Sequence, residues 1–187
     1  MVLHIKNMVC PRCVQAVQAL LLKNHITGAS VELGAANIPA ELSSVTLSLL
    51  SDELNSIGFE IINDQKGRLI ESIKNTAIQL ARQSGGDKPE RNLSQILSGK
   101  LHYEYNYLSA LFSEAEGQTI EKYFIAQKIE FVKELLVYDE LTLNQIAFNL
   151  GYSSTAHLSN QFKKVTGLTP SYFRKIKQQK RKFLTDL

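Results

Sequence analysis

The chain has 187 residues, of which 44% are hydrophobic and 21% are charged, and its formal net charge is +3. This length and apolar content fit one large or two small folded domains. No apolar run approaches the roughly 20 residues that span a bilayer, so we expect a cytoplasmic protein with no membrane partner. The two cysteines lie three residues apart, and a disulfide therefore cannot join distant parts of the fold.

Charge is distributed unevenly along the chain. Residues 1–65 carry three basic and six acidic side chains, a net charge of −3. Residues 163–187 carry eight basic side chains and one acidic side chain, a net charge of +7. A polyanionic partner is therefore expected to meet the carboxyl-terminal end of the chain.

The first 64 residues predict a small domain of mixed strands and helices. Alternating and helical apolar patterns indicate the order βαββαβ, an antiparallel sheet covered by two helices, which is a ferredoxin-like arrangement. The predicted elements are a strand over 2–6, a helix ending near 24, a hairpin over 30–38, a helix over 44–57 and a strand over 59–62.

The loop after the first predicted strand contains both cysteines. Its segment HIKNMVCPRCVQAVQALL, residues 4–21, resembles the start of a heavy-metal-associated domain, with Met8, Cys10 and Cys13 matching the M-x-C-x-x-C loop. The resemblance implies a site for Cu(I) or another soft metal, which thiolates bind well. Three interpretations stay open: a soft-metal site, a redox or thiol-sensing pair, and a loop kept only for packing.

A second domain is predicted from residue 65 onward, after the polar break NDQKG at 63–67. It begins with an amphipathic helical run and continues through a glycine- and proline-containing loop, SGGDKPER, at 84–91. Outside this loop, the predicted domain, residues 65–187, has an all-helical pattern. The fold class is therefore α+β, with a small βαββαβ domain followed by an all-α domain.

The helical region contains an internal repeat with an offset of 50 residues. Such a repeat usually records the duplication of a supersecondary unit. The matching pairs are Leu93 with Leu143, Gln95 with Gln145, Ile96 with Ile146, Leu108 with Leu158, Ser109 with Ser159, Phe112 with Phe162, Gly117 with Gly167 and Thr119 with Thr169.

The second copy has the pattern of a helix-turn-helix. Thr142 is suited to cap its first helix and Gly151 to end it, while Ser153 or Ser154 can cap the second helix and Gly167 can close it. Helical spacing predicts that apolar residues face inward. In the second copy these are Leu143, Ile146, Ala147, Leu150, Leu158, Phe162 and Val165; in the first they are Leu108, Phe112 and Ala115.

The opposite face of the second helix has the chemistry of a DNA-reading surface. Asparagine can bond adenine through two hydrogen bonds, an alanine methyl group can touch thymine, and lysine can neutralise phosphate. An ordinary solvated helix face is the alternative for one helix taken alone. The candidate DNA-binding residues are Ser153, Ser154, Ala156, His157, Asn160, Lys163 and Lys164.

The first copy is a weaker candidate for reading bases. Its outward face has no lysine or arginine and includes Glu114, with Glu116 close by, and carboxylates oppose phosphate binding. Asn106 and Ser109 are its best candidates for DNA contact. Between the copies, residues 120–138 lack glycine and proline and predict a linker helix that can hold two recognition helices about one DNA turn apart.

These residues resemble the AraC/XylS family, chiefly through LTLNQIAFNLGYSSTAHLSNQFKKVTGLTPSYFRKIK at 141–177. The resemblance reaches back to about residue 66 and implies a seven-helix, two-subdomain DNA-binding fold. It implies base reading by Ala156, His157 and Asn160, with Asn106, Ser109 and Ala110 in equivalent places in the first copy. Leu101 stands where the turn glycine of the first copy is expected, so that turn is predicted to differ.

A sequence-specific, AraC-type transcription regulator is the leading interpretation. We expect double-stranded DNA as its partner, together with RNA polymerase or another regulator. It requires no cofactor, and Cu(I) or another soft metal at Cys10 and Cys13 is the candidate signal. The alternative is a metal-binding or metal-delivery module whose helical half docks a protein. The sequence contains no pairing of nucleophile and base, no phosphate loop and no complete catalytic metal site, so we expect no enzyme.

Overall fold

The computed structural model describes residues 1–83 and 92–176. The predicted loop at 84–91 and the basic residues Lys177, Lys180, Arg181 and Lys182 lie outside that range. The chain divides into two compact units. Their limits differ from those of the domains predicted from the sequence, 1–64 and 65–187, and that domain division stays a prediction. Unit 1 comprises Met1–Thr76 and Leu97–Gly117, and unit 2 comprises Ala77–Ile96 and Gln118–Leu187.

Unit 1 begins with the predicted βαββαβ order of elements. The elements are β1 (Val2–Lys6), α1 (Pro11–Lys23), β2 (Ser30–Glu32), β3 (Ala35–Asn37), α2 (Ser44–Ser56) and β4 (Glu60–Ile62). The strands form one antiparallel sheet in the order β2-β3-β1-β4, in which Leu3 of β1 lies opposite Ala36 of β3.

Local signals account for the ends of these elements. Pro11 occupies the first turn of α1, where a missing N–H costs no helical hydrogen bond. Ser43 caps α2 by accepting a hydrogen bond from the Thr46 N–H at 3.1 Å. Gly34, between β2 and β3, has φ +85°, and a β-carbon there would collide with the Asn75 side chain. Glycine alone suits both this backbone conformation and this close approach.

The core of the βαββαβ part lies between the sheet and its two helices. Its largest fully buried side chains include Ile5, Met8, Leu21, Leu50 and Leu54. They come from β1, the following loop and both helices, so burial of their apolar surface holds these elements together.

Three further helices contribute to unit 1, and two of them form the first helix-turn-helix. They are α3 (Gln65–Arg82), α4 (Leu93–Leu101) and α5 (Tyr105–Glu116), although parts of α3 and α4 belong to unit 2. Leu108 and Phe112 of α5 are fully buried, as predicted, whereas Ala115 is exposed. The prediction of an inward-facing Ala115 was wrong because it lies one turn beyond Phe112, the last buried residue of α5.

Unit 2 contains the predicted linker helix and the second helix-turn-helix. Its helices are α6 (Ile120–Tyr138), α7 (Leu143–Asn149) and α8 (Thr155–Thr166), and residues 170–176 are also helical. Ile129 and Val132 of α6 share one core with Ile146 of α7 and with Leu158 and Phe162 of α8. The core thereby fixes the rotation of α8 about its axis.

Val165 corrects the prediction for the second copy. Helical spacing placed it on the inward stripe, yet 44% of it is exposed. It lies beyond Phe162, the last core residue of α8, just as Ala115 lies beyond Phe112 in α5. Periodicity identifies the side of a helix that faces the core but not the point along the helix where coverage stops.

Candidate nucleic-acid interface

The second helix-turn-helix is built from strong local signals. Thr142 and Gln145 form a capping box at the start of α7, with the Gln145 side chain accepting a hydrogen bond from the Thr142 N–H at 2.8 Å. Gly151 then has φ +66°, which turns the chain after α7. Of the two candidate caps for α8, Ser154 is the one observed, and it accepts a hydrogen bond from the His157 N–H at 3.1 Å.

The packing of α8 leaves its predicted DNA-reading face in solvent. Leu158 and Phe162 are fully buried on one side, so residues on the opposite side point outward. All seven candidates of the second copy are exposed: Ser153, Ser154, Ala156, His157, Asn160, Lys163 and Lys164.

The chemistry of this face changes along the helix. Its amino-terminal half presents a methyl group at Ala156, an imidazole at His157 and an amide at Asn160, which can meet base edges. Its carboxyl-terminal half presents the ammonium groups of Lys163 and Lys164, which suit phosphates. A helix placed amino end first in a major groove would present both halves to the partners that they suit.

The side chain of His157 is held in place by two neighbours. Its Nδ1 lies 3.1 Å from the Ser153 hydroxyl oxygen, and its ring meets the Tyr152 ring edge-on with 5.4 Å between the ring centres. A hydrogen bond from Thr155 to Asn144 at 2.5 Å also ties the start of α8 to α7. Tyr152 was not among the predicted DNA-binding residues; the signal for it was its place directly after the turn glycine, within the segment that resembles the AraC/XylS family.

The first copy presents an equivalent helix with a different surface. Asn106 and Ala110 of α5 are exposed, whereas Ser109 is half-buried. The Ser109 side chain is therefore less accessible to a partner than the Asn106 side chain. Glu114 is exposed on the same helix. This face therefore presents the amide of Asn106, which can bond a base. Where α8 has an ammonium group suited to a DNA phosphate, α5 has the carboxylate of Glu114.

Glu116 of α5 is engaged inside unit 1. It pairs with Lys74 of α3 at 2.6 Å, and Lys74 also pairs with Glu71 at 3.2 Å. Burial works to lower the pKa of Lys74, but the hydrogen bond and charge of Glu116, with those of Glu71, outweigh it and raise that pKa. The Glu116 carboxylate thus forms an ion pair within unit 1 that joins α5 to α3.

The turn of the first copy differs from that of the second, as predicted from Leu101. Leu101 is still helical, and the left-handed residue is His102, with φ +59°. The helix before the turn is consequently longer than its counterpart, with nine residues in α4 against seven in α7. The second helices nonetheless cover equivalent residues, since α5 and α8 are offset by the 50 residues of the repeat.

Part of the predicted basic carboxyl-terminal segment has a structural role. Arg174 pairs with Asp139 at 3.1 Å and donates a hydrogen bond to the Leu141 carbonyl oxygen at 2.8 Å. These contacts tie the helical residues 170–176 to the end of α6. Lys175 is exposed and contributes positive charge to the surface.

The cysteine loop brings two sulfur atoms together. The Sγ atoms of Cys10 and Cys13 are 3.4 Å apart, both cysteines are in the reduced form, and Cys10 precedes the first residue of α1. Met8 is fully buried in the core against which Cys13 also packs. Within residues 1–83 and 92–176 no group of three or more His, Cys, Asp or Glu side chains could hold a metal ion. The loop itself offers the two thiols as soft donors.

Comparison with known proteins identifies the helical region. A family of helix-turn-helix domains matches residues 97–176. The HTH-type transcriptional regulator YtdP of Bacillus subtilis is 33% identical over 92 residues, which are 49% of this chain and 11% of that protein. The melibiose operon regulatory protein of Escherichia coli is 30% identical over 76 residues, 41% of this chain and 25% of that protein. The matched segment is thus a quarter or less of either relative.

A solved structure shares its fold with part of this chain. The C-terminal domain of AraT, a response regulator from Geobacillus stearothermophilus, superposes with a TM-score of 0.51 at 21% identity, covering 60% of this chain and 88% of that domain.

Across the described part of the chain, no helix combines the length and hydropathy that a bilayer crossing requires.

Proposed function

From the premise that its C-terminal part carries an AraC-type helix-turn-helix DNA-binding domain, we propose that this chain is a sequence-specific transcription regulator. The observation that carries the proposal is the exposed face of α8, which passes from methyl, imidazole and amide groups to two ammonium groups along one helix. The methyl, imidazole and amide groups can contact base edges, and the ammonium groups can bind phosphates.

Within this proposal the two halves of α8 have separate roles. Asn160 and His157 read base edges, Ala156 allows close approach to the groove floor, and Lys163 and Lys164 bind phosphates. Ser153 and Ser154 lie where the helix meets the groove, although Ser154 also caps α8. In the first copy Asn106 makes a lesser contribution, and Ser109 and Ala110 lie beside it.

The test is DNA binding by the full chain to genomic fragments at several salt concentrations. A regulator selects particular fragments and loses affinity steeply as salt rises. Asn160→Ala and His157→Ala are expected to reduce the preference for selected over unselected fragments by about tenfold each. Lys163→Ala is expected to weaken binding to all fragments and leave that preference unchanged.

Asn106→Ala removes the amide of the first copy, at the position that aligns with Ala156 in the repeat, and it is expected to change the preference less than Asn160→Ala does. Equal selectivity in the Asn160, His157 and Lys163 variants would contradict this division of roles. Failure of the wild type to select any fragment would reject the proposal that the chain is a regulator.

As protein partner we propose RNA polymerase or another regulator. The test is whether that protein further slows the migration of the complex between this chain and a selected DNA fragment.

We also propose that Cys10 and Cys13 form the signal-sensing site of the N-terminal domain, which we assign to the ferredoxin-like, heavy-metal-associated type. The 3.4 Å between the two sulfur atoms supports this proposal. As thiolates, two cysteines at that spacing can share one soft Cu(I) ion. As thiols, they can pass two electrons and two protons to a disulfide oxidant, which is reduced to two thiols, and form a disulfide bond with each other.

The sensing proposal is tested with the double variant Cys10→Ser, Cys13→Ser. Wild type is expected to bind Cu(I), or to form a disulfide between Cys10 and Cys13 in oxidised glutathione, and to change its affinity for a selected DNA fragment when it does so. The double variant is expected to do neither. Identical Cu(I) affinity and DNA binding in the two proteins would leave packing as the role of these cysteines.

A further inference from the structure

We propose that Lys128 of α6 is a positioning residue for DNA reading: it holds Tyr152 in place, and Tyr152 in turn sets the orientation of His157. The inference rests on the proposed function, because it concerns how the reading face of α8 is arranged. All three residues belong to unit 2.

The first step is the contact between Lys128 and two aromatic rings. Its ammonium nitrogen lies 4.4 Å from the centre of the Tyr152 ring and 5.8 Å from that of Phe124. The side chain is partly buried, and burial lowers the pKa of Lys128 because it disfavours the charged form. A partly desolvated cation is attracted to the electron-rich face of a ring, so Lys128 favours one placement of Tyr152.

The second step is the position of Tyr152 between α6 and α8. Its hydroxyl group donates a hydrogen bond of 2.7 Å to the side-chain oxygen of Gln161 on α8. Burial raises the pKa of Tyr152, so the hydroxyl keeps the proton that this bond requires. The ring is therefore held on its face by the cation and at its tip by α8.

The third step is the contact between Tyr152 and His157. The two rings meet at 84°, with 5.4 Å between their centres, and the Ser153 hydroxyl group lies 3.1 Å from His157 Nδ1. Two contacts limit the rotation of the imidazole, and the bond at Nδ1 leaves Nε2 as the nitrogen that can meet a base. An exposed side chain that is already oriented loses less conformational entropy on binding.

The test compares base preference in variants of one helix. Lys128→Met keeps an unbranched chain of similar length and removes the charge; Lys128→Arg keeps a cation; and Lys122→Met makes the same change at an exposed lysine of α6. Each protein is used to select from a pool of random-sequence duplexes at constant salt, and its helical signal is followed through thermal melting.

Lys128→Met is expected to reduce by about three- to tenfold the preference at the base position that His157→Ala identifies. Lys128→Arg is expected to restore most of that preference, and Lys122→Met to leave it unchanged. In the His157→Ala background Lys128→Met is expected to cause no further loss, because the effect of Lys128 passes through His157.

Independent, additive losses from Lys128→Met and His157→Ala would overturn the inference and leave the regulator proposal standing. A wild type that selects no sequence would overturn both. Should Lys128→Met lose its helical signal, the same cycle is run with Tyr152→Leu, which removes the ring at the middle of the chain of contacts; additive losses there would likewise overturn the inference.

Discussion

The two helix-turn-helix copies share a scaffold and differ in what they expose. Phe112 and Phe162 are both fully buried, and α5 and α8 both end at a left-handed glycine. On the outside, Lys164 of α8 corresponds to Glu114 of α5, and both are exposed. Within one chain, the packing of the unit has therefore been kept while the charge of its outward face has been reversed.

The copies also differ in how their helices start and turn. Ser154 caps α8 with its side chain, whereas Glu104 at the start of α5 makes no side-chain cap hydrogen bond. The second copy turns at Gly151, and the first turns at His102, which takes a conformation that costs energy in any residue with a β-carbon. The second copy is thus better defined by its local sequence, and it is also the copy with the proposed DNA-reading face.

Removal of the buried phenylalanine that each copy contains has the largest expected effect. Phe112→Ala and Phe162→Ala are each expected to lower the free energy of unfolding by about 3–5 kcal/mol, because each leaves a cavity at a fully buried site. Urea denaturation followed by circular dichroism measures both. A loss under about 1 kcal/mol at either site would show that the two cores are not equivalent.

The reversed charge gives the next effect. Lys164→Glu is expected to weaken binding to all DNA about tenfold and to reduce the salt slope by about one, since one phosphate contact is lost. Glu114→Lys is expected to strengthen binding by about two- to threefold, because a repulsive group becomes attractive.

Titration of duplex DNA at three salt concentrations measures both charge variants. The control is Lys66→Glu, which makes the same charge change at an exposed lysine in the first turn of α3. If Lys66→Glu weakens binding as much as Lys164→Glu does, net charge rather than the α8 face controls affinity.

The turns predict changes of opposite sign. Gly151→Ala is expected to cost about 1–2 kcal/mol of unfolding free energy, entirely through the backbone, because no atom of residues 1–83 or 92–176 lies within 4 Å of the added β-carbon. His102→Gly removes a similar strain but frees the unfolded chain, so we expect between no change and a gain of about 1 kcal/mol. Thermal unfolding of both variants decides; a loss at His102→Gly would mean that its side chain stabilises the turn.

The caps give the smallest effect. Ser154→Ala is expected to lower the free energy of unfolding by about 1 kcal/mol, because the His157 N–H loses its partner. Glu104→Ala, at the equivalent place before α5, is expected to change it by less than about 0.5 kcal/mol. Matched urea titrations compare the two, and equal losses would refute the difference between the helix starts.

Much of the fold could be predicted because its signals are local. The predicted bounds of β1 and α6 match the observed ones, and Gly151 has the left-handed conformation expected of it. Capping and apolar spacing act within one or two helical turns, so they can be read from neighbouring residues. Val165 and Ala115 were placed wrongly because burial also depends on how far the neighbouring helices extend.

The candidate site was only partly predictable. The exposed residues of α8 follow from helical spacing once Leu158 and Phe162 are recognised as buried. The contact between Lys128 and Tyr152 joins residues 24 positions apart, on α6 and on the turn before α8. No local pattern marks a lysine for such a contact, because a lysine on a helix is more often solvated than placed over a ring.

The sequence by itself determined the order of strands and helices, the repeat, and the face of α8 that meets solvent. The tertiary structure alone decided where the inward stripes stop and that Lys128, Tyr152 and His157 stand in contact. The physical reason is range: helix formation and capping are governed by residues within about a turn, whereas ring contacts and burial arise only when separate helices pack.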